Sequence, residues 1–182
     1  MAKILMINGS LHAGGFKEQL VNQIVALIGN RAEVSILDWG NVPMYVQNQE
    51  FPAPEIVTSV RKSVQSADAI WFVTPEYNYQ IPGGLKNLTD WLSRSLDETN
   101  SRAESAIHGK ITTVSAASSD GGSHVRPILE DLLAFIRTNV IRENATGVAI
   151  KPNNWASGKL DFSDDDIAAL NRQAETLLVQ LP

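Results

Sequence analysis

Apolar and polar positions along the chain fall into two alternating kinds of block. Short, nearly unbroken apolar runs cover residues 3–8, 69–74 and 110–114, the pattern of strands buried on both faces. The run Ala69-Ile70-Trp71-Phe72-Val73-Thr74 is the richest in β-branched and aromatic residues and predicts a central strand. A weaker run at 33–37 predicts the second strand, and 140–150 is expected to contain the fifth. Between the runs, apolar residues recur at helical spacing. Leu20, Val21, Ile24, Val25 and Ile28 form one such face, stopped by Gly29-Asn30. Ile56, Val60 and Val64 form a second, and Leu85, Leu88 and Leu92 a third. Ile128, Leu129, Leu132, Leu133 and Ile136 form a fourth, and Ile167, Leu170, Leu177, Leu178 and Leu181 the last. Ser163 with Asp166 reads as a capping box ahead of that final helix. The polar stretch 97–109 reads as a surface connection.

Strand–helix alternation of this kind predicts an α/β protein, a parallel sheet with helices on both faces. In such sheets ligands bind beyond the carboxyl ends of the strands, where strand order reverses. Periodicity does not fix the order. The 182 residues read as a single domain, 1–182, without repeats.

Composition narrows the chemistry. The formal net charge of -5 argues against nucleic acid, which needs clustered Lys and Arg. There is no cysteine, which excludes disulfides, thiol catalysis and cysteine-ligated clusters. No apolar run approaches the ~20 residues of a membrane span, and residues 1–4 lead into the first strand without a signal-peptide pattern, so a cytoplasmic protein is expected. The three histidines, His12, His108 and His124, show no metal-ligand spacing, and no metal is expected. Asp164, Asp165 and Asp166 are explained by the dipole of the helix they begin. Trp39, Trp71, Trp91 and Trp155 read as core or interface residues.

Three loops remain as candidates. The first, Asn8-Gly9-Ser10-Leu11-His12-Ala13-Gly14-Gly15-Phe16-Lys17, joins the first strand to the first helix. Its small residues and the helix N-terminus suit an anion such as phosphate. It is neither a P-loop, since Gly15 stands where the lysine is required, nor a G-x-G-x-x-G turn. The second, residues 74–87, places Tyr77, Asn78, Tyr79 and Gln80 between Pro75 and Pro82, which suits a flat heteroaromatic ligand. The third, residues 115–122, is a small-residue loop after the fourth strand.

At these loops the chain resembles the NADPH-dependent FMN reductase family, which includes bacterial chromate and quinone reductases and azoreductase-like enzymes. The resemblance runs from Lys3 to about Ile150. It is strongest in Pro75-Glu76-Tyr77-Asn78-Tyr79-Gln80-Ile81-Pro82-Gly83, continuing through Leu85-Lys86-Asn87 to Asp90-Trp91-Leu92. It implies a flavodoxin-like three-layer sandwich with a five-stranded sheet in the order 2-1-3-4-5. It implies bound FMN, NADPH or NADH as donor, and a small acceptor such as free flavin, a quinone, an azo compound or a metal oxyanion. It also implies a homodimer or homotetramer.

The cofactor-binding positions it implies are Gly9, Ser10, Leu11, His12, Gly15, Phe16 and Lys17 in the first loop. In the second they are Pro75, Glu76, Tyr77, Asn78 and Tyr79, with Tyr79 shaping the acceptor site. In the third they are Ser115, Gly121 and Gly122. No catalytic acid or base is implied, because the cofactor carries the chemistry. Where members usually have Arg, Ser and Asn, this chain has His12, Gly15 and Lys17. Two alternatives to the reductase stay open: an FMN-binding electron carrier that does not oxidise nicotinamide, and a family member without FMN acting as an interaction module.

Overall fold

The computed structural model describes residues 1–182. Its sheet contains β1 (Lys3–Asn8), β2 (Glu33–Ile36), β3 (Ala69–Thr74), β4 (Ile111–Ser118), β5 (Asn139–Val140) and β6 (Gly147–Ala149). The helices are α1 (Phe16–Ile28), α2 (Glu55–Ser66), α3 (Gly83–Leu92), α4 (Val125–Phe135), α5 (Pro152–Ser157) and α6 (Asp164–Leu178). All strand pairs are parallel, in the order β2-β1-β3-β4-β5, and β6 also pairs with β4. This is the flavodoxin-like order, with one refinement. The expected fifth strand is split into β5 and β6, which pair with the first and last parts of β4. The intervening Arg142-Glu143-Asn144 is polar, and Asn144 adopts a left-handed φ of 59°, which interrupts the ladder.

Alternation along the buried strands separates two cores. Ile4, Met6, Trp71 and Val73 face α1 and α6, and meet Leu20, Ile24, Leu170 and Leu177. Leu5, Ile7, Ile70 and Phe72 face the other layer, with Val60, Leu85, Leu88 and Leu129 from α2, α3 and α4. Each apolar side chain of this size contributes about 1.5–3 kcal/mol on burial. The expected capping box is present: Asp166 N–H donates to Ser163 Oγ at 3.2 Å, and Ser163 N–H to Asp166 Oδ2 at 2.9 Å. The stretch 97–109 departs from a purely surface connection. Its end turns inward, and Ala106 and Ile107 join the second core at 2% and 0% exposure.

β1 lies between β2 and β3, so successive connections leave it in opposite directions. The crevice beyond β1 and β3 is therefore the switch point where this architecture places ligands.

Candidate functional site

Three loops meet at that crevice. Gly9 makes the first close approach. Its N–H donates to Val73 O at 2.7 Å, and a Cβ at this position would stand 2.9 Å from Leu85 Cδ2 and 3.1 Å from Val73 O. A side chain there would push the end of β1 away from β3. On the other flank, Trp39 Nε1–H donates to Asn8 O at 3.0 Å, which anchors the start of the loop.

Residues 10–15 then turn into α1, whose cap residue, Gly15, offers no capping side chain. The N–H groups of Leu11, Ala13, Phe16 and Lys17 have no acceptor in the chain, while those of Ser10, His12 and Gly15 are used locally. Uncapped N–H groups at a helix start form an anion site. Lys17 adds to it. Burial pushes its ammonium below the usual lysine range, and no carboxylate pairs with it. Phe16 contributes its backbone N–H, and its ring packs edge-on against Trp155 at 5.0 Å. His12 and Leu11 are exposed.

Two residues absent from the sequence-based set act here. Gly14 N–H donates to Glu18 Oε2 at 2.6 Å, so an acid already occupies part of the loop. Gln19 Nε2–H donates to Gly14 O at 3.2 Å and Gly158 O at 2.9 Å, and its Oε1 accepts from Leu160 N–H at 2.8 Å. These bonds tie the loop to the segment between α5 and α6. Amide and carboxylate residues at i+3 to i+5 of a glycine loop are the signal that sequence inspection could have used.

The second loop is a tight turn. Tyr77 N–H donates to Gln80 O at 3.2 Å and Gln80 N–H to Tyr77 O at 3.0 Å, with Asn78 and Tyr79 at φ 54° and 62°. Two positive φ values inside such a pair define a type I′ turn, which favours Asn-Gly. Asn78 suits its position. Tyr79 is held there against its steric preference. Both tyrosines are exposed, at 54% for Tyr77 and 64% for Tyr79, so the turn presents a flat aromatic surface at the rim. Pro75 is buried beneath it.

The side chain of Glu76 turns inward while those of Tyr77 and Tyr79 face the rim. It is 7% exposed. Oε2 accepts from Val125 N–H at 2.9 Å and His124 N–H at 3.2 Å, so it caps α4 from the β3 loop.

The third loop is shorter than expected, because β4 continues to Ser118. Ser115 is consequently withdrawn from the rim and lies in the core at 0% exposure. Its hydroxyl accepts from Trp71 Nε1–H at 2.9 Å and donates to Gln173 Oε1 at 2.8 Å. Gly121 and Gly122 are also buried, both at positive φ. A Cβ at Gly122 would lie 2.3 Å from Ala116 Cβ, and one at Gly147 would lie 1.7 Å from Gly121 O. These glycines let the loop close onto β4 and β6.

Asp120 organises what remains of this loop. It accepts from Ser118 Oγ at 2.6 Å, Gly122 N–H at 2.9 Å and the Ser123 hydroxyl. These donors hold its carboxyl well below the usual carboxylate range. Glu76, Asp120 and His124 bring ligating atoms within 4.8 Å of one another. Sequence spacing could not reveal this, since Glu76 lies 48 positions from His124. Glu76 Oε2 and both Asp120 oxygens already accept hydrogen bonds, so the group forms a hydrogen-bonded cluster. A cavity of about 570 Å³ lies at the far end of the molecule among residues such as Glu50, Arg94 and Arg137. A second, about 510 Å³, adjoins the first loop and is lined by Ser10, Leu11, Glu18 and Trp39 among others.

The description "NADPH-dependent FMN reductase" belongs to the family profile that matches residues 2–152. The chain belongs to that family. It is 29% identical over 162 residues to an NAD(P)H-dependent FMN reductase of Pseudomonas aeruginosa, covering 87% of this chain and 84% of the relative. It is 32% identical over 148 residues to a quinone reductase of Escherichia coli K12, covering 78% and 74%. A solved flavoenzyme, an NAD(P)H:(acceptor) oxidoreductase from Paracoccus denitrificans, superposes with a TM-score of 0.84 at 22% identity, covering 98% of this chain and 96% of that one, and shares the fold. No helix of this family member is long and apolar enough to cross a membrane.

The chemistry of the crevice fits FMN. Free N–H groups and an unpaired ammonium at the start of α1 suit a phosphate, and the exposed aromatic turn beyond β3 suits the edge of a flat ring.

Proposed function

We propose that this protein is a single-domain, FMN-dependent reductase that takes electrons from NAD(P)H and delivers them to a small quinone-type acceptor. The observation that carries the reading is the pairing of an uncapped, phosphate-ready α1 N-terminus with the exposed Tyr77–Gln80 turn across one switch point. When bound, FMN supplies hydride acceptance and return.

The chain's own residues do the rest. N–H groups of Leu11, Ala13, Phe16 and Lys17 hold the phosphate, with the Lys17 ammonium as counter-charge. The 75–79 backbone lies against the ring edge, and Tyr79 bounds the space shared in turn by nicotinamide and acceptor. Glu76 acts indirectly, by fixing the β3 and β4 loops to each other. The quinone class is favoured by the named relatives; the reading includes a cytoplasmic homodimer or homotetramer.

Fluorescence titration with FMN, followed by NADPH oxidation with benzoquinone in the same sample, tests the reading. Tight binding with turnover is expected. Binding without nicotinamide oxidation would make the protein a carrier, and absence of binding would overturn the assignment.

A further inference from the structure

Reducing a quinone to a hydroquinone takes two electrons and two protons. A hydride carries both electrons and only one of the protons. The second must reach an oxygen that becomes negatively charged as the first bond forms.

We propose that His124 delivers this second proton through Nε2, with Asp120 and Glu76 as positioning residues. The inference rests on the quinone-reductase reading above. His124 stands at the N-terminus of α4 on the rim of the crevice, with its side chain 53% exposed. Its ring lies 4.4 Å from that of Tyr79, at 55°. It therefore borders the space that Tyr79 bounds. Nδ1 faces inward, 3.2 Å from Asp120 Oδ2, 3.7 Å from Glu76 Oε1 and 3.3 Å from Ser123 Oγ. The hydrogen-bond partner of Nδ1 is the Ser123 hydroxyl, and the Asp120 carboxylate beside it can only accept, which favours a hydrogen on Nδ1. Nε2, on the opposite edge of the ring, has no partner in the chain. This is an acid–imidazole arrangement with its working nitrogen free.

Asp120 is suited to orienting rather than donating. Two hydroxyls and the Gly122 N–H keep it ionised. The groups facing the ring from the β3 loop are Glu76 and Tyr79, and from the β4 loop Asp120 and Ser123. None of them is a cation.

The step balances. Hydride from the reduced cofactor adds to one quinone oxygen and leaves a hydroquinone monoanion. The Nε2–H bond of the imidazolium then breaks, and an O–H bond forms at the second oxygen. The neutral imidazole, open to solvent, takes a proton back from water. The sum is quinone plus hydride plus one proton giving hydroquinone.

Two measurements test this. The first needs no turnover. The FMN-loaded, oxidised protein is prepared with 15N-labelled histidine, of which the chain has three, and titrated with resorcinol, a redox-inert hydroquinone analogue. In the neutral form, the His124 spectrum should show hydrogen on Nδ1, and its Nε2 resonance should move as resorcinol binds. Asp120→Asn should mix the two tautomers. The opposite tautomer in the native protein, or an Nε2 resonance indifferent to resorcinol, would overturn the proposal.

The second compares benzoquinone with ferricyanide, which accepts electrons without protons. His124→Phe and His124→Gln should each lower kcat for benzoquinone about a hundredfold, and ferricyanide turnover far less. Equal losses with both acceptors would remove His124 from proton transfer and leave it a packing role. Failure of the native protein to reduce either acceptor would sink the oxidoreductase reading itself, and this inference with it.

Discussion

Glu76 and Val125 lie 49 positions apart, and the Glu76 carboxylate accepts the Val125 N–H at 2.9 Å. α4 has no capping side chain of its own, because His124 occupies the cap position and its ring points elsewhere. One glutamate thus joins the β3 loop to the β4 loop and satisfies a helix end. Removing it should matter for stability first. Glu76→Ala is expected to cost about 1–2 kcal/mol, read as a lower urea midpoint at unchanged m. Glu76→Gln keeps an acceptor oxygen and should lose about half as much. An alanine variant as stable as the native protein would show that water caps α4 equally well.

The Tyr77–Gln80 turn makes a separable prediction. Asn78 and Tyr79 both sit at positive φ. Glycine relieves that cost, so Tyr79→Gly should stabilise the protein by about 1 kcal/mol while raising KM for the acceptor through loss of the aromatic surface. Asn78→Ala would confuse two effects, since alanine tolerates this backbone poorly. Asn78→Gly isolates the side chain. If Asn78 touches the flavin, Asn78→Gly should weaken FMN binding without lowering the melting temperature. Unchanged affinity would limit this residue to shaping the turn.

Much of this was legible in the sequence, and the reasons differ by element. β1, β3 and β4 were legible because they are buried on both faces and therefore read as continuous apolar runs. β4 was read four residues short, stopping before Ser115-Ala116-Ala117-Ser118, because small residues look like a loop when their neighbours are unknown. That shortening placed Ser115 at the rim, whereas it lies between Trp71 and Gln173. Gln173 itself satisfies four partners, Thr113, Val114, Ser115 and Thr146, from inside a helix whose pattern shows only a polar residue. The 75–79 loop was legible as a motif, but not the division of labour within it. A sequence string cannot say that Glu76 turns inward while Tyr77 and Tyr79 turn out. His124 was set aside for want of a nearby partner, and its partners come from other loops.

Glu18 is the next position to test. It lies in the first turn of α1 and accepts the Gly14 N–H at 2.6 Å, beside the proposed phosphate contacts. An acid favours an empty helix N-terminus but repels an incoming dianion. Glu18→Gln keeps an acceptor for Gly14 and removes the charge. FMN should then bind about three- to tenfold more tightly, corresponding to roughly 0.7–1.4 kcal/mol. Riboflavin, which lacks the phosphate, should bind as before. An equal gain for both ligands would place the phosphate away from this loop.

Asp120 gives the pH dependence. Hydrogen bonds from Ser118, Ser123 and Gly122 favour its ionised form in the folded state, so its folded pKa lies below the unfolded value. A carboxyl shifted in this direction binds fewer protons when folded, so stability rises with pH through the interval between the two values. Its contribution is fully present above the ordinary carboxylate range and is lost as pH falls toward the depressed folded value. The melting temperatures of native protein and Asp120→Asn should therefore differ most near pH 6, draw together as pH falls below the ordinary carboxylate value near 3.9, and converge only where the depressed folded carboxyl is itself protonated. The site is open to water, so the difference should be modest, and salt should shrink it little, because hydrogen bonds rather than long-range charge produce it. A constant offset at every pH would mean that the asparagine disturbs the loop by shape alone, and that the ionisation of Asp120 does not hold the β4 loop in place.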